Sequence, residues 1–263
     1  LATNLAILGI VLSLCALLFI HIHRDKPVIQ LSQALFLKLI CIGALLVNTS
    51  IFPNSFVPRS TAICIARKWW FDVTFAFIMA VMLVKVWRVW KIFSVPFGQV
   101  MQITNSFLLK VVFAIVAVDI LFLLLWTLVD PPSLRFDPDL GSNVCESGPV
   151  GTAFMIISYV YLAGLVVLTS LFACRVKDLG SVLGESKQIF AVANNIVVFG
   201  VFNVIIALVA EQAGDNVHIL VFAISIFWCT TVGLIVLLQA KYERFHLTRN
   251  EILRAVTDKK NTQ

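Results

Sequence analysis

Six cysteines offer the chain its only route to a covalent cross-link. Cys15, Cys41 and Cys229 lie inside apolar runs, where a thiol behaves as a small hydrophobe, and Cys174 closes another run. Cys64 and Cys145 are the two that reach the outer surface in the topology derived below, where an oxidising compartment allows a disulfide. A bridge between them would pin the segment Asp130–Pro149 over one end of the molecule and stabilise it by about a few kcal/mol. The alternative is a pair of unlinked loop cysteines.

A second constellation is ionic. Lys85, Arg88 and Lys91 stand on adjacent turns of one helical stripe. Lys85 falls about two turns inside an apolar run, a costly place for an ammonium without a partner. Glu185, in Gly184-Glu185-Ser186-Lys187, stands just before another run and is the natural acid for it. A Lys85–Glu185 contact would tie two runs together, and breaking it would let them part. The competing reading is a solvated basic stripe, with Glu185 merely favouring a helix N-terminus.

Three ionisable residues, Lys38, Asp72 and Asp119, fall within apolar runs and are expected to face a bundle interior with partners. Lys38 and Asp119 map near mid-depth and Asp72 nearer the outer face, so Lys38–Asp119 and Lys38–Asp72 pairs are both admissible. An ion or proton relay uses the same residue types but needs a longer chain of them. Asn194, Asn195 and Asn203 suit hydrogen bonds between helices. Asn48-Thr49-Ser50 matches a glycosylation sequon, yet it ends an apolar run too close to lipid to be an acceptor.

Catalysis finds no support. The histidines (His21, His23, His218 and His246) sit at run ends on both sides and cannot converge on one metal. No serine or cysteine has a base at workable spacing. The last apolar run contains no lysine to carry a retinal Schiff base. No cofactor and no metal is expected.

These residues are positioned by a membrane architecture. Of the 263 residues 60% are hydrophobic and 13% charged, against about 45–50% and about 25% in soluble domains. A span needs about 20 apolar residues. Seven fit: Ala2–Ile20, Val28–Ile51, Ile63–Ile92, Ser106–Val129, Val150–Cys174, Gln188–Ala210 and Ile219–Ala240. The predicted fold is an all-α bundle of seven transmembrane helices over residues 1–240, with a basic cytoplasmic tail at 241–263. The third span is the weakest by hydropathy and is retained because Trp69, Trp70, Trp87 and Trp90 stand as interfacial anchors.

Lysine and arginine predict the orientation. Nine of them in the connections on one side, plus six in the tail, make fifteen; the other side has Arg59, Arg67, Lys68 and Arg135, and Lys38 lies within a span. Positive residues stay inside, so the N-terminus is expected outside and the C-terminus inside. The net charge of +6 thus sorts by membrane side, not into a nucleic-acid surface. The chain opens at Leu1 without an initiator methionine, as expected of a piece of a longer protein.

Particular residues then carry a family resemblance. Lys85 with Trp87-Arg88-Val89 and Ile92-Phe93 resembles the inner end of the third helix in metabotropic GABA-B-type receptors. Val118-Asp119-Ile120, Trp126 and Val129-Asp130-Pro131 are similar to that family's fourth helix. Ser186-Lys187, Ile189 and Asn195 look like the start of its sixth, and Ser32 with Ser50-Ile51-Phe52 fits its second. Val86, Trp90, Lys38 and the Gln239-Ala240-Lys241 ending depart from the family pattern. The resemblance covers Val28 to Ala240 and points to class C G-protein-coupled receptors.

That resemblance implies that Cys64 and Cys145 form the disulfide between the third helix and the second outer loop. It implies that Lys85 and Glu185 form a cytoplasmic ionic lock. It further implies a multi-pass plasma-membrane receptor that binds agonist in a separate extracellular domain, works as a homo- or heterodimer and couples to heterotrimeric G proteins. Arg88, Lys91, Arg175 and Lys177 are then candidates to touch the G protein; each also satisfies the positive-inside pattern on its own. A seven-span transporter or channel with Lys38, Asp72 and Asp119 as its polar path is the alternative.

Overall fold

The computed structural model describes residues 1–26, 29, 34–55, 60–93, 103–137, 142–176, 188, 190–198, 200 and 215–243. Long helices dominate them: α1 (Ala2–Ile22), α2 (Ala34–Thr49, continued for one turn by Ile51–Asn54), α3 (Thr61–Phe93), α4 (Asn105–Val129) and α5 (Pro149–Val176). Residues 190–198, here α6, are the described part of the sixth span, and α7 is Asp215–Glu243. Six of the described helices are long and apolar enough to cross a membrane. Backbone groups in hydrocarbon have no water to bond, which makes the helix, closed on its own hydrogen bonds, the form these sequences take.

Boundaries follow local chemistry. Thr104 caps α4, its side chain accepting the Phe107 backbone N–H at 3.4 Å. Asp130 ends α4 and Pro131-Pro132 cannot continue it. The connection that follows holds an antiparallel hairpin, β1 (Ser133–Asp137) against β2 (Ser142–Glu146), with Leu134 opposite Cys145. An all-α reading of the sequence did not anticipate these two short strands. Alternation is weak in Ser-Leu-Arg-Phe-Asp, and the pairing is held from outside by the bridge described below.

The third span, weakest by hydropathy, forms the middle of the bundle. α3 packs against α2, α4 and α5, while α7 packs against α1 and α2. Half of the apolar window of α3 is buried, against 28% for α1, α4 and α5, whose other faces are left for lipid. Met79, Ala80 and Met82 of α3 meet Phe36 and Ile40 of α2 and Leu108 of α4 in the main core. A helix covered by protein on several sides needs less hydropathy than one facing lipid, which is why its polar residues escape a hydropathy scan.

A second contact ties the outer helices. The Asn48 Nδ2 on α2 donates to Thr230 Oγ1 on α7 at 3.1 Å and to the Ala44 carbonyl at 2.8 Å. On its other side Asn48 presses against Gly9 of α1, where an added Cβ would lie 2.2 Å from Oδ1. Asn48 is fully buried, so the sequon it begins is inside the bundle. Gly9→Val is expected to lower the thermal unfolding temperature of the detergent-solubilised protein, with an overpacking cost of about 1–3 kcal/mol. Asn48→Ala in the same molecule should recover part of that loss, and a double-mutant thermal series measures it.

Candidate functional site

The end of the bundle that carries the hairpin, which the pattern of basic residues assigns to the outside, is fastened several times over. Cys64, in the first turn of α3, is bonded to Cys145 on β2, with Cα atoms 5.8 Å apart. That bridge carries the hairpin across the end of the helices. Asp130, just after α4, accepts the Gly151 backbone N–H at 2.7 Å and so caps α5 from a neighbouring element. Gly148 leaves room for it, since a Cβ there would lie 2.4 Å from the Asp130 carboxylate. Arg67 Nε donates to the Pro53 carbonyl at 2.8 Å, joining α3 to the end of α2.

Two tryptophans set the depth of α3 against its neighbours. Trp69 Nε1 donates to Thr127 Oγ1 on α4 at 3.0 Å, and Trp70 Nε1 to Thr49 Oγ1 on α2 at 2.9 Å. Both were expected as interfacial anchors; they also cross-link helices.

Below them lies a buried charged cluster. Asp72 on α3 is 1% exposed and accepts from Lys68 Nζ at 2.6 Å and from Ser158 Oγ on α5 at 2.7 Å. Lys68 also sits 3.9 Å over the Tyr159 ring. Asp119 on α4 is fully buried, beside Ser158 and within electrostatic reach of Asp72 and Lys68. Tyr161 on α5 donates to the Ile115 carbonyl at 2.7 Å and closes this side of the bundle.

Lys38 is not part of this cluster, and neither of its expected pairings with Asp119 or Asp72 forms. Its Nζ lies 3.4 Å from His21 Nδ1 at the far end of α1. Since Thr49 is level with Trp70, Lys38 stands roughly 13 Å deeper than Asp72 at 1.5 Å per residue. The partner of Asp72 is instead Lys68, one turn away on its own helix. Its i, i+4 spacing was visible in the sequence, but sorting Lys68 as an outer-surface charge concealed it. The polar path required of a transporter is correspondingly interrupted among the described residues.

Towards the opposite end, Lys85 is 1% exposed within α3 and lies near Cys41 of α2. Arg88 Nη1 donates to Asn105 Oδ1 at 3.1 Å, joining α3 to the start of α4. Lys91 is half-buried, and Arg175 is exposed at the end of α5. Asn195 on α6 is half-buried. Glu185 and Lys177, and Asn203 with them, lie outside the described residues, as does the tail beyond residue 243. Among the described residues no group of three His, Cys, Asp or Glu side chains is arranged to hold a metal.

Between α2, α3, α5, α6 and α7 lies a cavity of about 730 Å³. Phe71, Phe75 and Ile78 of α3 and Trp126 of α4 make it apolar, Lys68 and Asp72 supply its charge, and Cys145 stands at its rim. The cavity lies under the disulfide-held hairpin, inside the helical bundle.

Comparison with known proteins agrees. The family described as the seven-transmembrane sweet-taste receptor of class 3 G-protein-coupled receptors matches residues 1–241. The chain belongs to this family, the class C receptors: it is a multi-pass plasma-membrane receptor and not an enzyme. Metabotropic glutamate receptor-like protein B of Dictyostelium discoideum is 27% identical over 244 residues, which are 89% of this chain and 32% of the relative. Protein J of the same organism is 26% identical over 248 residues, 89% of this chain and 31% of the relative. Protein E is 25% identical over 190 residues, 70% and 23% of the two chains. The chain therefore spans a third or less of the length of these relatives.

The buried pair makes a direct prediction. Lys68→Met strands the Asp72 carboxylate in the bundle and is expected to cost about 3–5 kcal/mol, read as a lowered unfolding temperature and reduced surface expression. Lys68→Met combined with Asp72→Leu should be more stable than Lys68→Met alone. Equal stability of the single and double variants would show that the pair does not matter to the fold.

Proposed function

We propose that this chain is the transducing domain of a GABA-B-like class C receptor, with its N-terminus outside and its C-terminus in the cytoplasm. Agonist bound in an extracellular domain shifts the packing of the helices, and the inner face passes the change to a heterotrimeric G protein. The observation that carries the reading is Lys85, 1% exposed two turns inside the end of α3. An ammonium buried at that depth calls for an acid, and Glu185 at the start of the sixth span is assigned that role. Arg88 and Lys91 at the end of α3, with Arg175 and Lys177 after α5, are the assigned G-protein contacts. The fifteen-to-four sorting of basic residues supports the orientation.

The Lys85–Glu185 contact then acts as a lock: while it holds, α3 and the sixth helix stay together and the coupling face is closed. A two-state element of this kind shifts by the free energy of the contact, about 1–3 kcal/mol. The receptor works as a homo- or heterodimer, in which one subunit can transmit a signal that it does not itself receive. The resemblance to GABA-B-type receptors supports this.

Glu185→Ala in the full-length receptor is expected to raise agonist-independent nucleotide exchange on the G protein by about fivefold or more. Lys85→Glu with Glu185→Lys should return it toward the wild-type level. Unchanged basal exchange at equal surface expression of Glu185→Ala would remove the lock as a switch. Substrate flux in proteoliposomes, with no exchange activity under any agonist, would replace the receptor mechanism by transport.

A further inference from the structure

Lys38 and His21 lie at the end opposite the hairpin and take no part in the lock. Lys38 Nζ on α2 is 3.4 Å from His21 Nδ1 on α1. His21 stands in the last turn of α1, whose 21 residues measure about 30 Å, the thickness of the hydrocarbon layer of a bilayer. The contact therefore brings Lys38 to the boundary between acyl chains and headgroups. An ammonium has donors only, so Nδ1 accepts and the ring proton sits on Nε2. Two ammonium N–H groups and the Nε2–H are then left to give. Among the described residues no acid pairs with either side chain, and Asp25, the nearest acid in sequence, lies 3.8 Å from Arg24. Around the two donors the surface is apolar and faces lipid. Leu18 and Leu14 lie one and two turns deeper than His21, and Ile42 one turn deeper than Lys38, all three exposed.

We propose that Lys38 and His21 bind the headgroup phosphate of one anionic phospholipid, whose acyl chains run along Leu14, Leu18 and Ile42. An ammonium at the edge of hydrocarbon is costly without a counter-charge, and a phosphate supplies both the charge and several acceptor oxygens. The apolar stripe continuous with the donors selects a lipid over free phosphate. Charge selects the headgroup: a zwitterionic lipid returns a positive charge for each negative one, whereas an anionic lipid neutralises Lys38. Arg24 and Lys26, exposed just beyond α1, add to the attraction. With the orientation proposed above, the leaflet is the cytoplasmic one, where anionic lipids collect. Neither the lock nor the G protein enters the site. Occupancy ties α1 to α2 at this end, because the two donors come from different helices.

The test uses the full-length protein in nanodiscs of phosphatidylcholine, alone and with increasing phosphatidylserine. It reads the unfolding temperature and, by native mass spectrometry, the lipid retained. Phosphatidylserine is expected to raise the unfolding temperature saturably, with a single copy retained. Lys38→Gln should weaken the apparent affinity about fivefold or more, while its unfolding temperature in phosphatidylcholine alone is no lower than that of the wild type. His21→Leu should also weaken the response, and Lys38→Arg should keep it. Lys110→Gln, which removes an exposed cation near the start of α4, should leave it unchanged. An equal loss in Lys110→Gln overturns the site in favour of diffuse attraction by the basic face. Undiminished binding in Lys38→Gln overturns it as well, and so does the same stabilisation by inorganic phosphate in phosphatidylcholine alone. If Lys38→Gln does not fold, the wild-type lipid series and His21→Leu decide. No arm contains a G protein, so loss of the site and loss of coupling are read separately.

Discussion

Inside a bilayer a polar group has no water to fall back on, so each one must be satisfied by the bundle itself. Nearly every specific contact here answers that demand. Hydroxyls turn back onto their own helix, as Ser13 does to the Gly9 carbonyl, Thr74 to Trp70 and Thr169 to Leu165. Amides and charges have more donors and acceptors than their own helix satisfies, and they become the ties between helices. Asn48 joins α1, α2 and α7; Asp72 with Lys68 and Ser158 joins α3 to α5. Packing without a hydrophobic driving force is thereby given direction by a few polar side chains.

Among the described residues, ties are found at both ends of the molecule. The hairpin end has a covalent bridge, a carboxylate cap on α5 and two indole hydrogen bonds, all placed within a few turns of the hairpin. The described residues of the opposite end include the Arg88–Asn105 and Lys38–His21 contacts. In the proposed mechanism the disulfide holds the hairpin end while the ion pair at the opposite end opens. The small cost of separating one ion pair then becomes comparable with the free energy that a ligand supplies.

Much of this was legible in the residues. Cys64 and Cys145 could be matched because topology left no other pair on one side. Lys85 could be singled out because its depth in an apolar run demanded explanation, and its burial agrees with that depth. Other features were not legible. The Gly9–Asn48 contact joins positions in different helices whose facing surfaces no periodicity identifies. Asp130 looked like a helix stop; that it also caps α5 depends on the hairpin bringing Gly151 to it.

The sequence by itself determined the number of spans, the side on which the basic residues gather and the family to which the motifs belong. Those properties are sums over stretches of about 20 residues, and a linear chain displays them directly. Tertiary structure alone decided that Lys38 turns to His21, that Asp72 takes Lys68, and that Asp119 is buried beside Ser158. Those outcomes depend on how far each helix slides and rotates against its neighbours. A shift of one residue moves a side chain about 1.5 Å along the axis and about 100° around it, so partners follow only once the helices are packed.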